Sequence, residues 1–241
     1  MKKASPKSAV IITAAGSSRR MNIGTKKEFL TLNDQPVLLL SLIPFINSNL
    51  FSNYIVVLSK SEIEEGRKIL APINKEGILN FISGGSSRQE SVYNGLLALK
   101  NEMPDIVLIH DGARPWIKRS IIKKVYNMTN LQNAAIPVVP SINAMKFIDS
   151  SGIIVTNLER EFTVAAQTPQ GFNYLNILDS HMKAHQDTTN YVDDAEIYSK
   201  YAGKVATVTG DILNKKITYQ SDIPGIQQVN PEPAKHGKEY K

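Results

Sequence analysis

The stretch Val10-Ile11-Ile12-Thr13-Ala14-Ala15-Gly16-Ser17-Ser18-Arg19-Arg20-Met21 decides the fold. Its β-branched opening reads as a buried first strand. The small residues and arginines that follow cannot continue it and read as a glycine loop. Working outward, the same alternation recurs. Residues 36–46 form an apolar helical stretch, and 54–58 a second buried strand. Ser61 is placed to cap a helix over 62–70 with acids in its first turn. A third strand over 79–82 ends at Gly84-Gly85, and residues 89–99 carry Val92, Leu96 and Leu99 on one helical face. A fourth strand over 105–109 runs into His110-Asp111-Gly112-Ala113-Arg114-Pro115, followed by a helix over 121–128 and a fifth strand over 134–139.

Residues 142–160 alternate irregularly about Asp149-Ser150-Ser151-Gly152, a turn signal, and predict a projecting β-hairpin. Further strands are expected over 162–166, 205–209 and 216–219, and further helices over 174–184 and 195–201. Strand–helix alternation of this kind predicts an α/β fold: a mainly parallel twisted sheet with helices on both faces. One domain over residues 1–223 is expected, with a polar, frayed tail over 224–241.

Composition narrows the function. The 241 residues include no cysteine, which excludes disulfides, thiolate metal sites and a cysteine nucleophile. At 42% apolar and 21% charged the chain is ordinary globular protein. Twenty-eight Lys+Arg against 22 Asp+Glu give a net charge of +6, suited to an anionic ligand such as a nucleotide or sugar phosphate. No basic run is interleaved with aromatics, so nucleic acid is not expected. No apolar stretch reaches the roughly 18–20 residues that span a bilayer. The basic start, Met1 to Lys7, is followed by an apolar run too short for a signal peptide, so the cytoplasm is the expected compartment.

Ligands of open α/β sheets bind at the carboxyl ends of the strands, and the polar clusters fall there. The first loop, Ala14 to Met21 with Lys27 beyond it, offers backbone N–H groups and arginines to phosphate. It is neither a dinucleotide fingerprint nor a Walker A loop; read blandly, it is a solvated turn. Gly84-Gly85-Ser86-Ser87-Arg88 permits positive φ and the close approach of a flat ligand. Ser87 and Glu90 also have capping-box spacing, and both readings can hold. Asp111 is placed for a ribose hydroxyl or a divalent cation, or for a structural pair with Arg114. His110 alone reads as a structural histidine. Lys216, starting a strand near the sheet edge, can reach a phosphate or stay solvated.

These clusters, with Gln167-Thr168-Pro169-Gln170, Asp193-Asp194-Ala195 and Asn214-x-Lys216-Ile217-Thr218, resemble in order and spacing the 2-C-methyl-D-erythritol 4-phosphate cytidylyltransferase family from about Val10 to Asp222. Ribitol-5-phosphate cytidylyltransferases are close relatives. The resemblance implies a Rossmann-like nucleotidyltransferase, usually a homodimer, that transfers CMP from CTP to a polyol phosphate with Mg²⁺. It further implies catalytic roles for Arg20, Lys27 and Lys216. Ala14, Ala15, Gly16, Gly85, Ser86 and Ser91 match CTP-binding positions, Ser91 at the base edge; Asp111 and Gly112 match positions on the ribose or metal side. The hairpin matches a dimerisation arm whose Arg160 clamps the acceptor phosphate in the partner's site.

Four departures stand out. The family's usual Pro-Lys-Gln is Lys26-Lys27-Glu28, where the extra lysine is expected to add positive charge beside the phosphates. In the arm, Asn143-Ala144 replaces Asp-Thr and removes a hydroxyl worth roughly 0.5–1.5 kcal/mol. Gly112 stands where alanine is commoner, and the polar tail replaces a C-terminal helix. The expected acceptor is methylerythritol phosphate. The alternative is another polyol phosphate such as ribitol 5-phosphate, giving a CDP-polyol for a surface polymer. A uridylyl- or adenylyltransferase and a non-catalytic sugar-nucleotide binder are the competing classes.

Overall fold

The computed structural model describes residues 6–18, 21, 25–74, 76–187 and 189–223. Arg19, Arg20 and the tail from Pro224 lie outside them, so the expectations for Arg20 and for the tail do too.

In chain order the elements are β1 (Ser8–Ala14), β2 (Thr31–Leu32), β3 (Gln35–Pro36), α1 (Val37–Ile46), β4 (Asn53–Leu58), α2 (Ile63–Leu70), β5 (Leu79–Ser83), α3 (Arg88–Ala98) and β6 (Ile106–Asp111). There follow α4 (Arg119–Gln132), β7 (Ala134–Pro140), β8 (Lys146–Ile148), β9 (Ile154–Asn157), β10 (Val164–Ala166), β11 (Gln170–Asn173), α5 (Tyr174–Gln186), α6 (Asp194–Tyr201) and β12 (Ala206–Thr209).

β1 sits at the centre of the main sheet, parallel to β4 on one side and β6 on the other, and β5 extends the sheet beyond β4. Beyond β6 the direction reverses, since β11 pairs antiparallel with both β6 and β7. β10 and β11 lie along one side of β7, and β12 lies parallel along the other. The sheet is therefore mostly parallel with an antiparallel insertion.

Alternation along β1 explains why both faces are covered. Val10, Ile12 and Ala14 pack with Leu38, Leu42 and Phe45 of α1 and Ile122 and Val125 of α4. Ala9 and Ile11 point the other way, into Val92 and Leu96 of α3, Ile177 of α5 and Tyr198 of α6. Val92, Leu96 and Leu99 are fully buried, as their spacing predicts.

Several local expectations need correction. Ser61 does not cap α2: a one-turn helix over Lys60–Glu62 leads into it, and no side chain caps either. The strand expected over 162–166 starts only at Val164, because Arg160–Phe162 is a helical turn. β11 has no period long enough to be recognised in four residues. Residues 216–219 form no strand; the Ile217 N–H bonds the Ala113 carbonyl at 2.9 Å, and the Ile217 side chain is buried.

The hairpin does project. Among the described residues β8 and β9 pair only with each other, and Asp149 Oδ1 accepts from the N–H groups of Ser151 and Ile153, closing the turn. Among the described residues no helix is long and apolar enough to cross a membrane.

Candidate active site

The parallel strands β1, β5 and β6 end on the same edge, and a cavity of about 800 Å³ opens there. Its walls bring together Ala15, Gly16, Lys27, Gly85, Ser86, Ser91, Asp111 and Lys216, from five separate stretches of chain. Ala14 and Gly112 are not on the wall but behind it. Ala14 is buried, the Gly112 N–H donates to the Thr13 carbonyl at 2.9 Å, and the Gly112 carbonyl accepts from Ser41 Oγ at 2.9 Å. Their part is to weld the ends of β1 and β6. Arg160 is exposed on the arm and does not line this cavity.

Each loop keeps its shape for a local reason. A Cβ at Gly16 would meet nothing within 4 Å, so no fold contact demands glycine there. Gly84 and Gly85 do not adopt positive φ. Glycine is needed at 84 because a Cβ would stand 2.4 Å from Ala15 Cβ and 2.8 Å from Ser91 Oγ. That corrects the expectation: close packing, not left-handed backbone, explains the residue. Ser87 caps α3 by accepting from the Glu90 N–H at 3.0 Å, while the Glu90 carboxylate reaches the Ser86 N–H at 2.7 Å. The capping box is thus displaced by one residue on its return side. Ser91 Oγ donates to the Ser87 carbonyl at 2.8 Å and accepts from the Gly85 N–H at 3.1 Å. One lone pair of that hydroxyl is left, so it can offer a base only an acceptor.

Asp111 is the electrostatic centre. Its carboxylate lies 3.0 Å from Lys216 Nζ, 3.1 Å from Arg114 Nε and 3.8 Å from Arg88 Nε. Burial alone would raise its pKa, but Lys216, Arg88 and Arg114 outweigh burial and hold it far below the carboxylate range. The structural pair with Arg114 is therefore formed, and Asp111 lines the cavity as well. Arg114 also donates to the Asn214 carbonyl at 2.8 Å, which ties the segment bearing Lys216 to the end of β6.

His110 is structural, as read. It is fully buried; Thr168 Oγ1 lies 2.9 Å from Nδ1, and Nε2 faces the Arg114 carbonyl. Burial depresses its pKa to about 3, so it stays neutral.

Three residues contradict or extend the sequence reading. Lys26 does not line the cavity. Its ammonium is ion-paired with Glu62, its side chain is only 5% exposed, and it lies over the Phe29 ring. The neighbour that faces the cavity is Glu28, 3% exposed, whose pKa burial raises despite Lys27, Lys26 and Lys216. Arg88 is a cavity residue that the loop pattern alone does not single out. It lines the cavity at the first turn of α3 and donates to buried Asp194 at 2.7 Å. A cation at a helix N-terminus opposes the helix dipole, and that mismatch was the available signal. Arg88, with His181, draws the Asp194 pKa down to about 2 against the burial that would raise it.

Comparison with known proteins agrees with this geometry. Residues 8–228 match the family described as 2-C-methyl-D-erythritol 4-phosphate cytidylyltransferase. A relative of that name from Clostridium novyi is 36% identical, covering 90% of this chain and 94% of its own. One from Bacillus licheniformis is 34% identical over 89% of this chain and 91% of its own. A crystal structure of 4-diphosphocytidyl-2C-methyl-D-erythritol synthase from Anaerococcus prevotii superposes with a TM-score of 0.81 at 27% identity, covering 90% and 93% of the two chains. The structure of 2-C-methyl-D-erythritol 4-phosphate cytidylyltransferase from Thermus thermophilus gives 0.69 at 26%, covering 90% and 95%. Match length, identity and fold together establish that the chain belongs to the 2-C-methyl-D-erythritol 4-phosphate cytidylyltransferase family.

Proposed function

We infer that this protein transfers CMP from CTP to 2-C-methyl-D-erythritol 4-phosphate and releases pyrophosphate, a step of isoprenoid precursor synthesis. An oxygen of the acceptor phosphate attacks the α-phosphorus of CTP in line, and the bond to the bridging oxygen of pyrophosphate breaks. The single observation that carries the chemistry is that Lys27, Lys216 and Arg88 share one cavity wall with the small-residue loop after β1. Phosphoryl and nucleotidyl transfer require positioning and positive charge on the transition state more than acid–base help.

On this reading the N–H groups of the loop over 15–18 receive the β- and γ-phosphates. Lys27 and Lys216 stabilise charge developing at the α-phosphate. Gly85 and Ser86 border the nucleoside, and the remaining lone pair of Ser91 suits the exocyclic amine of cytosine, a donor where uracil has an acceptor. Arg20 belongs to the same proposal.

A magnesium ion would accompany the triphosphate of CTP. Among the described residues the wall offers two carboxylates, Glu28 and Asp111, and Asp111 already faces three cations. That donor set fits an ion held chiefly by the triphosphate and water, as Mg²⁺ commonly is. When bound, Mg²⁺ neutralises charge on the leaving pyrophosphate.

The acceptor site is completed by a second copy of the chain. Ile142, Phe147, Ile153, Ile154 and Val155 of the arm are all more than half exposed, an apolar surface that a lone monomer rarely carries. Arg160, just beyond it, is the residue the partner supplies to the acceptor phosphate.

The test is pyrophosphate release from CTP and Mg²⁺ with methylerythritol 4-phosphate or ribitol 5-phosphate as acceptor. Turnover with the first is expected. Turnover with ribitol 5-phosphate alone would mean that the Asn143-Ala144 change has redirected the acceptor.

A further inference from the structure

Glu28 is the carboxylate on the cavity wall that the chemistry above leaves without a task. It sits in the one-turn helix Lys27–Phe29 and is almost wholly buried. Ser18 Oγ donates to Glu28 Oε2 at 3.4 Å, and the same hydroxyl accepts from the Lys27 N–H at 3.3 Å. Among the described residues, the charged groups acting on it are Lys27 and Lys26 from its own turn and Lys216 from the segment after β12. α1, which packs on this turn, has no charged residue. Lys26 is committed to Glu62, and Lys216 is shared with Asp111.

A negative charge in this place is out of keeping with its surroundings. On the reading above, the cavity receives a triphosphate, and a carboxylate on its wall repels one. Burial already favours the neutral acid here, and the lysines offset burial only in part. Several phosphate charges arriving beside the group favour the neutral acid further. The neutral acid also offers an O–H donor to a phosphate oxygen, where the carboxylate offers none.

We propose that Glu28 is a positioning residue of the triphosphate subsite with two working charge states: a carboxylate that attracts Lys27 and Lys216 while the cavity is empty, and a neutral hydrogen-bond donor once CTP is bound. The proton comes from solvent, adds to a Glu28 carboxylate oxygen on binding and returns to solvent on release. No substrate bond is involved. The proposal rests on the triphosphate reading of the cavity.

Calorimetric titration of CTP without acceptor tests it, in buffers of different ionisation heat from about pH 6 to about pH 8.5, for the natural chain, Glu28→Gln and Glu28→Asp. Titration of the CTP phosphates is common to all three and cancels in the differences. The natural chain should take up as much as about one proton more than Glu28→Gln, and its affinity should fall more steeply with pH, by up to about tenfold per unit. Glu28→Asp should keep the linkage. Equal proton uptake by the natural chain and Glu28→Gln overturns the proposal. So does a Glu28→Gln chain that loses CTP affinity only when Mg²⁺ is present, which would make Glu28 a metal ligand. If all three chains ignore CTP but bind another nucleoside triphosphate, the base assignment fails, and the same proton count with that nucleotide decides Glu28. Failure to bind any triphosphate overturns both readings.

Discussion

Lys27 and Lys216 show what a residue contributes here and what its sequence context leaves open. Each lines the cavity, but Lys216 is aimed by Asp111, a residue more than a hundred positions away in the chain. Lys27→Ala should lower kcat by about a hundredfold or more while raising the KM for CTP much less, because its charge matters most in the transition state. Steady-state kinetics checks this, and an equal loss confined to KM would reduce Lys27 to a binding residue. Glu28 makes a separate prediction for the empty protein. Folding raises its pKa above the ordinary 4.5, so folding favours its protonated form. Its contribution is therefore intact below about pH 4.5 and is lost as pH rises through the higher folded value. Glu28→Gln, neutral throughout, should melt higher than the natural chain above that range and match it below. Melting temperature followed against pH measures the effect, and an unchanged or lower melting point at pH 8 would contradict it.

At the scale of elements, the strand ends and their loops divide into parts needed by the fold and parts it leaves free. Gly171 on β11 is of the first kind: a Cβ there would stand 2.2 Å from Thr129 Oγ1 and 3.0 Å from Val125 Cγ1, both on α4. Gly171→Ala should destabilise by about 1–3 kcal/mol through overpacking, as read from denaturant melts. Gly16 is of the second kind, with open space where a Cβ would go. Gly16→Ala should melt like the natural chain yet bind CTP several-fold more weakly, since a methyl group would push phosphate away from the loop N–H groups. Unaltered binding would place the phosphates elsewhere on the wall.

For the whole molecule the prediction concerns two chains. Arg160 lies outside the cavity lined by its own chain, on an arm paired only with itself. Arg160→Ala should raise the KM for the acceptor and leave CTP affinity nearly unchanged. If two chains share the acceptor site as proposed, mixing Arg160→Ala chains with Lys27→Ala chains should restore up to about one quarter of the activity, because one site in each mixed pair then has both residues. No recovery after subunit exchange would mean that the arm serves its own chain or no site.

Much of this was legible in the residues themselves. The β-branched runs, the glycine loops that end them and the helical spacing of Val92, Leu96 and Leu99 are local signals, and local sterics and burial enforce them. The ordered clusters from Ala14 to Lys216 carry the family resemblance, and folding brings most of them to one sheet edge. What the sequence could not settle was direction and commitment. Lys26 and Glu28 flank Lys27, yet one helical turn sends Lys26 to Glu62 and Glu28 to the cavity, reversing the expected charge on the wall. Asp111 was open between ligand and structural partner until folding set three cations around it. β11 is too short to carry a period and exists because β6 and β7 supply its hydrogen bonds. Pattern along the chain determines which segments are strand or helix. Which charge faces which depends on groups that only the folded chain brings within a few ångströms, where Coulomb energies and desolvation are large.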